Sequence, residues 1–377
     1  MRGDLHQVGS LRRLLERQPI RASAPCRVDM GGTLDLSTFY HPMHDAGPLT
    51  VNIAVALRTR VELLPHREGR ILVESPGVGR KDFAAHDSPF EHPLGLMLFI
   101  AARFAASGLC IRIESDSPPR SGLGGSSVAA VALVAALAHA YERLGRRPLR
   151  RKETALLAHD VEGAVAGVPC GMQDQLAAAY GGVHAWFWPG DPRRSPFTRK
   201  VLVPASGHAR LQRHLLLAYC GVPHESRTVN RRWVQRFLRG MDRRVWEEIL
   251  DCTRRFAENM ACGDFAGAAA YMDRETELRC TMTPEVLNET GRRLVAAARR
   301  EGGAARFTGA GAGGCIWAIG SESSIHGIRR RWEELLAEQT EARLLPFTVD
   351  RRGVHTEVGE SGLATARPRS AFSKDKG

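Results

Sequence analysis

A glycine- and serine-rich segment, residues 118–127, has the residue types and spacing that most directly indicate chemistry. It reads Pro-Pro-Arg-Ser-Gly-Leu-Gly-Gly-Ser-Ser and runs into an Ala-, Val- and Leu-rich stretch, 128–144, which predicts a buried helix. A glycine-rich turn that opens a helix offers an anion several backbone N–H groups and the positive end of the helix dipole. The segment therefore predicts a phosphate site, although an ordinary flexible turn has a similar composition.

The residues expected at the phosphates are Pro119, Arg120, Ser121, Gly122, Leu123, Gly124, Gly125, Ser126 and Ser127. The sequence contains no Gly-Lys pair, so the segment is not a P-loop of the Walker A type. A second cluster, 309–314, reads Gly-Ala-Gly-Ala-Gly-Gly and formally matches the dinucleotide-binding pattern. A predicted strand follows it where that pattern requires a helix, so a dinucleotide site is not expected there.

The elements that must hold these segments alternate in type along the chain. Alternating or β-branched runs predict strands at 24–30, 49–64, 71–75, 109–114, 214–219 and 315–319. Helical spacing predicts helices at 93–106, 152–166 and 171–180, several more between 230 and 300, and one at 324–339. This order favours an α+β protein. We expect an N-terminal extension with helical character (1–20), two domains (21–205 and 206–350) and a disordered tail (351–377).

Composition narrows the class of partner. The 377 residues are 43% hydrophobic and 25% charged, as in globular proteins, and carry a net charge of +12. The charge is compatible with nucleic acid, an anionic small molecule or an arginine-rich composition. The basic residues form pairs and no long run, and aromatic residues are only 6%, so nucleic acid is not the expected partner.

The same composition gives an expectation for the compartment. Eight cysteines without a Cys-x-x-Cys pair are typical of reduced thiols. Residues 1–20 contain no apolar core of a secretory signal, and the longest apolar run, 128–138, is shorter than a membrane span. We therefore expect a cytoplasmic protein that does not cross a membrane.

Three segments in this order resemble the GHMP kinase superfamily. They are Ala-Pro-Cys-Arg-Val-Asp-Met-Gly-Gly-Thr-Leu-Asp at 24–35, the segment 118–127, and Thr-Gly-Ala-Gly-Ala-Gly-Gly-Cys at 308–315. A fourth, Gly-Met-Gln-Asp-Gln at 171–175, is similar to the sugar-1-kinase branch, which includes heptose 7-phosphate kinases, fucokinases and galactokinase-like proteins. The resemblance implies a ribosomal-protein-S5-like N-terminal domain, a ferredoxin-like C-terminal domain and an ATP site in the cleft between them.

The resemblance also implies roles for individual residues. Asp174 matches the catalytic base that accepts the proton of the acceptor hydroxyl, and Arg27 matches the cation beside it. Ser126 and Glu162 match ligands of a Mg²⁺ ion that also binds ATP phosphates and water. The alternatives are a helix-capping carboxylate for Asp174, a solvated helix residue for Glu162 and, without the resemblance, a surface residue for Arg27.

The acceptor side is expected to use one carboxylate and several loop residues. Its expected contacts are Asp35, Gly171, Gln173, His224, Ser226 and Arg227, and the loop that supports the site contains Gly309, Gly311, Gly313 and Gly314. The loop 220–230 is as typical of a solvated surface loop. The segment before Asp35 is one residue shorter than the family pattern, which leaves its sugar contact open.

Three positions depart from the glycine or serine of the family pattern. Arg120 stands for a glycine; it could contact phosphate or simply occupy an ordinary turn conformation. Gly125 stands for a serine, and Ala312 stands for a glycine, where it is expected to stiffen the loop.

The resemblance implies a kinase that uses ATP and Mg²⁺ to phosphorylate a sugar or sugar phosphate, as a monomer or homodimer. Two alternatives stay open: a non-sugar alcohol as acceptor, and a sensor that binds ATP without catalysis.

Overall fold

A computed structural model of the chain describes residues 5–358 apart from 76, 167–169, 192 and 224–225. In these ranges the strands are β1 Ile20–Met30, β2 Leu49–Pro65, β3 Arg70–Ser75, β4 Gly79–Ala84, β5 Leu109–Ser115, β6 Val183–Phe187, β7 Thr198–Val203, β8 Leu215–Tyr219, β9 Ala304–Phe307, β10 Cys315–Ile319, β11 Arg343–Leu345 and β12 His355–Val358. The helices are α1 Leu5–Arg17, α2 Ser37–Tyr40, α3 Gly95–Arg103, α4 Gly125–Glu142, α5 Arg151–Ala166, α6 Gln173–Tyr180, α7 His208–Gln212, α8 Ser226–Leu238, α9 Arg243–Cys262, α10 Phe265–Met282, α11 Glu289–Arg300 and α12 Glu322–Leu336.

The larger sheet has eight strands and is organised around β2. Its main path is β12-β1-β2-β5-β3-β4, and β6 and β7 continue from the other half of β2. β2 is one strand of 17 residues, where the sequence indicated several. Its first half is buried on both faces, and its second half alternates between buried and exposed residues. This length lets β2 pair with β6 near its start and with β5 near its end.

Helix α4 lies against β1 and β2 and begins where the phosphate segment ends. It is apolar around nearly its whole circumference, as expected for a helix covered on every side. Among the described residues it is the one helix that is long and apolar enough to cross a membrane, with 18 residues and a mean hydropathy of 1.3. The helix is longer than we expected from the apolar run 128–138, and 72% of it is buried inside the fold. Burial of this extent is typical of a core helix.

The second sheet has four antiparallel strands in the order β11-β8-β10-β9. Helices α10, α11 and α12 pack on its strands. The turn between β9 and β10 contains the second glycine cluster. This sheet therefore presents that turn to the first half of the chain, where Cys315 N donates to Ser121 O of the phosphate segment at 2.8 Å.

The expectation of a disordered tail from residue 351 is wrong for its first part. Residues 355–358 form β12, which pairs antiparallel with β1 from Ile20↔Val358 to Ser23↔His355. Arg58 holds this connection, because it forms an ion pair with Asp350 and donates to Gly353 O at 2.8 Å. Polar residues can form a strand when a partner strand and a partly buried cation supply their hydrogen bonds. Residues 359–377 lie outside the described part of the chain.

Within the N-terminal extension, helix α1 belongs to the first half of the fold. Leu11 and Leu15 of α1 are fully buried, and α1 packs against β2 and α4.

Candidate active site

A cleft of about 1210 Å³ lies between the two halves of the chain. Its walls come from the phosphate segment, the start of α6, helix α3, helix α8 and strands β2 and β5. The expected phosphate residues line it with one exception, Leu123, which is fully buried behind the loop. The cleft is large enough for a nucleotide together with a small second substrate.

The phosphate segment forms a tight turn in front of α4. Gly122 and Gly124 have φ angles of +76° and +81°, which residues with a Cβ adopt at a cost. A Cβ at Gly124 would lie only 3.0 Å from Asp174 Oδ2. Glycine at this position therefore lets the loop backbone approach that carboxylate closely.

Two of the unusual loop positions have different consequences. Arg120 has a φ of +53°, so the alternative of an ordinary turn conformation is wrong. The left-handed conformation costs a residue with a Cβ about 1–2 kcal/mol. Gly125 has open space where a side chain would be, so a serine would fit there without a clash.

Asp174 lies in the first turn of α6 and faces the phosphate loop. Arg27 Nε donates to its Oδ1 at 2.7 Å, and Arg27 Nη1 donates to Gly122 O at 2.6 Å. Burial favours loss of the Arg27 charge, but Asp174 and Asp29 outweigh it and hold the pKa of Arg27 above its ordinary value. One cation thus fixes both the carboxylate and the loop.

Glu162 of α5 reaches the start of α4. Its Oε2 accepts from Ser127 Oγ and from Gln175 Nε2, both at 2.7 Å. Burial raises the pKa of the Glu162 carboxyl, against the two hydrogen bonds. Ser126, the other expected metal ligand, is exposed on the cleft side of the loop.

These residues fit a Mg²⁺ ion that is completed by phosphate oxygens and water. Across the described residues no group of three His, Cys, Asp or Glu side chains could hold a metal alone. One carboxylate and one hydroxyl are the kind of sparse oxygen donor set that Mg²⁺ uses beside nucleotide phosphates. Glu162 and Ser126 both line the cleft next to the loop.

Asp35 also lines the cleft and is almost fully buried. Its Oδ2 accepts from Gln173 N at 3.1 Å, and a Cβ at Gly171 would overlap the carboxylate. Burial is the main cause that raises the pKa of Asp35 to about 6, and the nearby Asp174 charge adds to it. Gln173 is also buried, and its side-chain oxygen accepts from Asn52 at 3.0 Å.

The expected loop contacts are only partly described. His224 lies outside the described residues, and Ser226 and Arg227 are the first two residues of α8. Further along α8, the residues Asn230, Arg231, Val234 and Gln235 line the cleft. Arg231 is exposed, and no ion pair or hydrogen bond is seen for it in the described part of the chain.

Sequence reasoning missed this wall of α8 and a second set of residues that line the cleft. These residues are Thr59, Ser75, Val78, Leu94, Met97, Ile113 and Ser115. These residues come from separate strands and helices, and none stands in a motif. The polar face of α8 was a usable signal, because Asn230, Arg231 and Gln235 recur at helical spacing.

The glycine cluster 309–314 supports the site from behind. Gly309 lines the cleft, and its N donates to Asp29 Oδ1 at 2.8 Å. A Cβ at Gly313 would lie 2.6 Å from Pro223 O, so the loop packs closely on the segment before α8. Ala312 has a φ of +58° and donates its N to Val286 O at 2.8 Å.

Comparison with known proteins identifies both halves. Residues 92–182 match the GHMP kinases N terminal domain, and residues 256–338 match GHMP kinases C terminal. The chain is 30% identical over 172 residues to the D-glycero-alpha-D-manno-heptose 7-phosphate kinase of Campylobacter jejuni, a match of 43% of this chain and 49% of that protein. The chain therefore spans about half the length of this curated relative.

Two further proteins match along most of the chain. The mevalonate kinase of Thermococcus onnurineus is 24% identical over 336 residues, covering 80% of this chain and 90% of that enzyme. The crystal structure of Lactococcus lactis galactokinase complexed with galactose has a TM-score of 0.68 at 14% identity, covering 93% of this chain and 99% of that one. At identities this low, the two matches establish the fold alone. The two-domain GHMP kinase fold expected from the sequence is confirmed, and the chain contains the N-terminal and C-terminal domains of GHMP kinases, which use ATP as phosphate donor.

Proposed function

We propose that this protein transfers the γ-phosphate of ATP to a hydroxyl group of a sugar, at the anomeric carbon. The observation that carries the proposal is the Asp174–Arg27 pair, placed against the glycine-rich loop and inside the cleft. Phosphoryl transfer needs positioning, neutralisation of charge and help with the acceptor proton. The loop, Arg27 and Asp174 are residue types suited to these three tasks.

Asp174 is the proposed base. Its Oδ1 is engaged by Arg27, whereas its Oδ2 is the oxygen near Gly124 on the loop side. An acceptor hydroxyl held beside Oδ2 in the cleft can lose its proton to this oxygen as its oxygen bonds to the γ-phosphorus and the bond from the γ-phosphate to ADP breaks. Arg27 stays cationic and steadies the carboxylate in both protonation states.

Glu162 and Ser126 are the proposed protein ligands of Mg²⁺. The ion, when bound, neutralises negative charge that develops on the transferred phosphoryl group. Ser127 and Gln175 orient the Glu162 carboxylate through their hydrogen bonds. The N–H groups at the start of α4 face the same phosphates.

The acceptor is proposed to lie between Asp35 and the cleft face of α8. A buried carboxylate with one backbone donor can accept hydrogen bonds from sugar hydroxyls. Asn230 lines the cleft on α8 and offers a second polar side chain. The resemblance of segment 171–175 to sugar kinases supports a sugar, whereas the long match to a mevalonate kinase favours a non-sugar alcohol as the second candidate. We further propose a cytoplasmic enzyme that acts as a monomer or homodimer.

A screen for acceptor-dependent ADP release tests the proposal. The panel contains galactose, fucose, mannose, D-glycero-D-manno-heptose 7-phosphate and mevalonate, each with Mg²⁺ and ATP. We expect turnover with a sugar, and Asp174→Asn should lower kcat by roughly 10²–10⁴-fold while ATP still binds. Asp160→Asn, at an exposed carboxylate of α5, is the matched control. Turnover with mevalonate alone would refute the sugar proposal, and wild-type turnover in the Asp174 variant would refute the role of the base.

A further inference from the structure

Asp174 and Arg27 are the end of a longer row of buried charges. Carboxylates and guanidinium groups alternate along it, in the order Asp174, Arg27, Asp29, Arg306, Glu275 and Arg279. From Arg27 onward every member is at most 3% exposed. The row starts in the first half of the chain and ends in helix α10 of the second half.

Asp29 is the junction of this row. Its Oδ1 accepts from Gly309 N at 2.8 Å and lies 3.4 Å from Arg27 Nη1, and its Oδ2 accepts from Arg306 Nη1 at 3.0 Å. Arg306 also donates to the backbone oxygen of Asp29. Burial opposes the charge of Asp29, but Arg27 and Arg306 outweigh it and hold the pKa of this carboxyl below its ordinary value. Asp29 is therefore ionised, and it contacts both halves of the chain.

Glu275 anchors the far end. It accepts from Arg306 Nε at 3.0 Å and from Arg279 Nε at 2.9 Å. The Arg279 guanidinium also donates to Gly32 O at 2.5 Å and lies over the Trp233 ring at 4.7 Å. The second half of the chain thus contacts the loop after β1.

Stability alone gives a weak reason for such a row. Removing charges from water costs nearly as much as their attraction returns, and apolar side chains of similar volume often replace buried ion pairs without loss. The row does, however, fix the direction of Arg27, because Asp29 and Gly122 O hold its Nη1 while Asp174 takes its Nε.

We propose that Asp29 is a positioning residue, which aims Arg27 at Asp174 and couples that pair to the second half of the chain through Arg306 and Gly309. This inference rests on the proposed function, since it assigns Asp29 an effect through the proposed base. Asparagine at position 29 accepts hydrogen bonds at one side-chain atom only, so it leaves either Gly309 N without its acceptor or Arg306 Nη1 with only the backbone oxygen of residue 29.

A double-mutant cycle tests this role with the acceptor found in the screen. Asp29→Asn should lower kcat by up to about 10²-fold, the usual effect of a displacement near 1 Å, with KM for ATP changed less than about 3-fold. In the Asp174→Asn background the same substitution should cost less than about 2-fold, because its route of action is already removed. Equal losses in both backgrounds would overturn the proposal in favour of a merely structural role.

A second variant covers the case that Asp29→Asn does not fold. Glu275→Gln leaves every contact of Asp29 in place and should give a smaller kcat loss that also vanishes in the Asp174→Asn background. Glu277→Gln is the matched control, because Glu277 is an exposed residue of the same helix, paired with Arg274. A loss equal to that of the control overturns the proposal.

A measurement that needs no acceptor substrate separates this inference from the proposed function. In a crystal structure of Asp29→Asn we expect Arg27 Nε to lie beyond about 3.5 Å from Asp174 Oδ1, and in Glu275→Gln, where Asp29 keeps its own contacts, we expect a smaller lengthening of the same distance. An unchanged distance of 2.7 Å would overturn the positioning role even if every sugar in the screen were phosphorylated. If no sugar is turned over, the proposed function fails while the distance still decides the role of Asp29.

Discussion

Asp35 carries a charge in a place that disfavours it, and Asp35→Asn removes that charge with little change of shape. Burial is the main cause that raises the pKa of this carboxyl from 3.8 to about 6. Between these values the folded protein binds a proton that the unfolded chain has released. Stability from this group is therefore present at low pH and is lost as the pH rises through 6.

The shift of about two units corresponds to about 3 kcal/mol at pH 8. Asparagine resembles the neutral acid and can still accept from Gln173 N, so the variant should be more stable than the wild type by up to that amount at pH 8. At pH 5 the stability advantage of the variant should be about half as large. At this pH the wild-type carboxyl is mostly protonated in the folded protein and mostly ionised in the unfolded chain. Activity should fall at the same time, since the variant loses the carboxylate proposed to bind the acceptor.

Urea unfolding at pH 5 and pH 8 measures the effect, and ADP release measures the activity. Asp45→Asn is the control, because Asp45 is 95% exposed and its removal should leave stability nearly unchanged at both pH values. The reasoning is refuted if Asp35→Asn is no more stable than the wild type at pH 8, or if its advantage is larger at pH 5. Unchanged kcat and KM for the acceptor would refute the binding role alone.

Three further substitutions test other parts of the site. Glu162→Gln should raise the Mg²⁺ concentration for half-maximal turnover at least about 10-fold, and an unchanged Mg²⁺ titration would argue against this ligand. Ala312→Gly should raise the free energy of unfolding by up to about 1 kcal/mol, because relief of the left-handed strain outweighs the greater entropy that glycine loses on folding. The melting temperature should therefore rise slightly, and a clear fall would contradict this. Arg231→Ala should raise KM for a phosphorylated sugar about 10-fold and leave KM for ATP unchanged, whereas Arg232→Ala, whose side chain pairs with Glu285 at the surface, should change neither.

The parts of the site that stand in continuous segments could be predicted from the sequence. The phosphate segment combines its glycines, its serines and the apolar helix in one stretch, so local chemistry is enough to indicate an anion site. The structure brings that segment, Arg27 and Asp174 together, as the resemblance implied. The role of each as a ligand or base remains a prediction.

The parts that depend on distant contacts could not be predicted. Arg306 stands in Ala-Ala-Arg-Phe, a short strand whose arginine would normally be read as exposed, and only the fold reveals that Asp29 and Glu275 surround it. The edge strands β4 and β7 are short and polar on their exposed positions, so period-two hydrophobicity is absent from them. The conformation of Arg120 is likewise set by the loop around it.

The pairing of β12 with β1 has a consequence for synthesis of the chain. β1 contains Arg27 and Asp29, and its outer edge bonds to a strand some 332 residues later in the sequence. While the ribosome is still translating the second half, that edge exposes unpaired N–H and C=O groups, which can recruit strands of other nascent chains. The strand that contains the proposed catalytic arginine is thus fully paired only after β12 has been synthesised, and deletion of β12 should give aggregation of newly made protein.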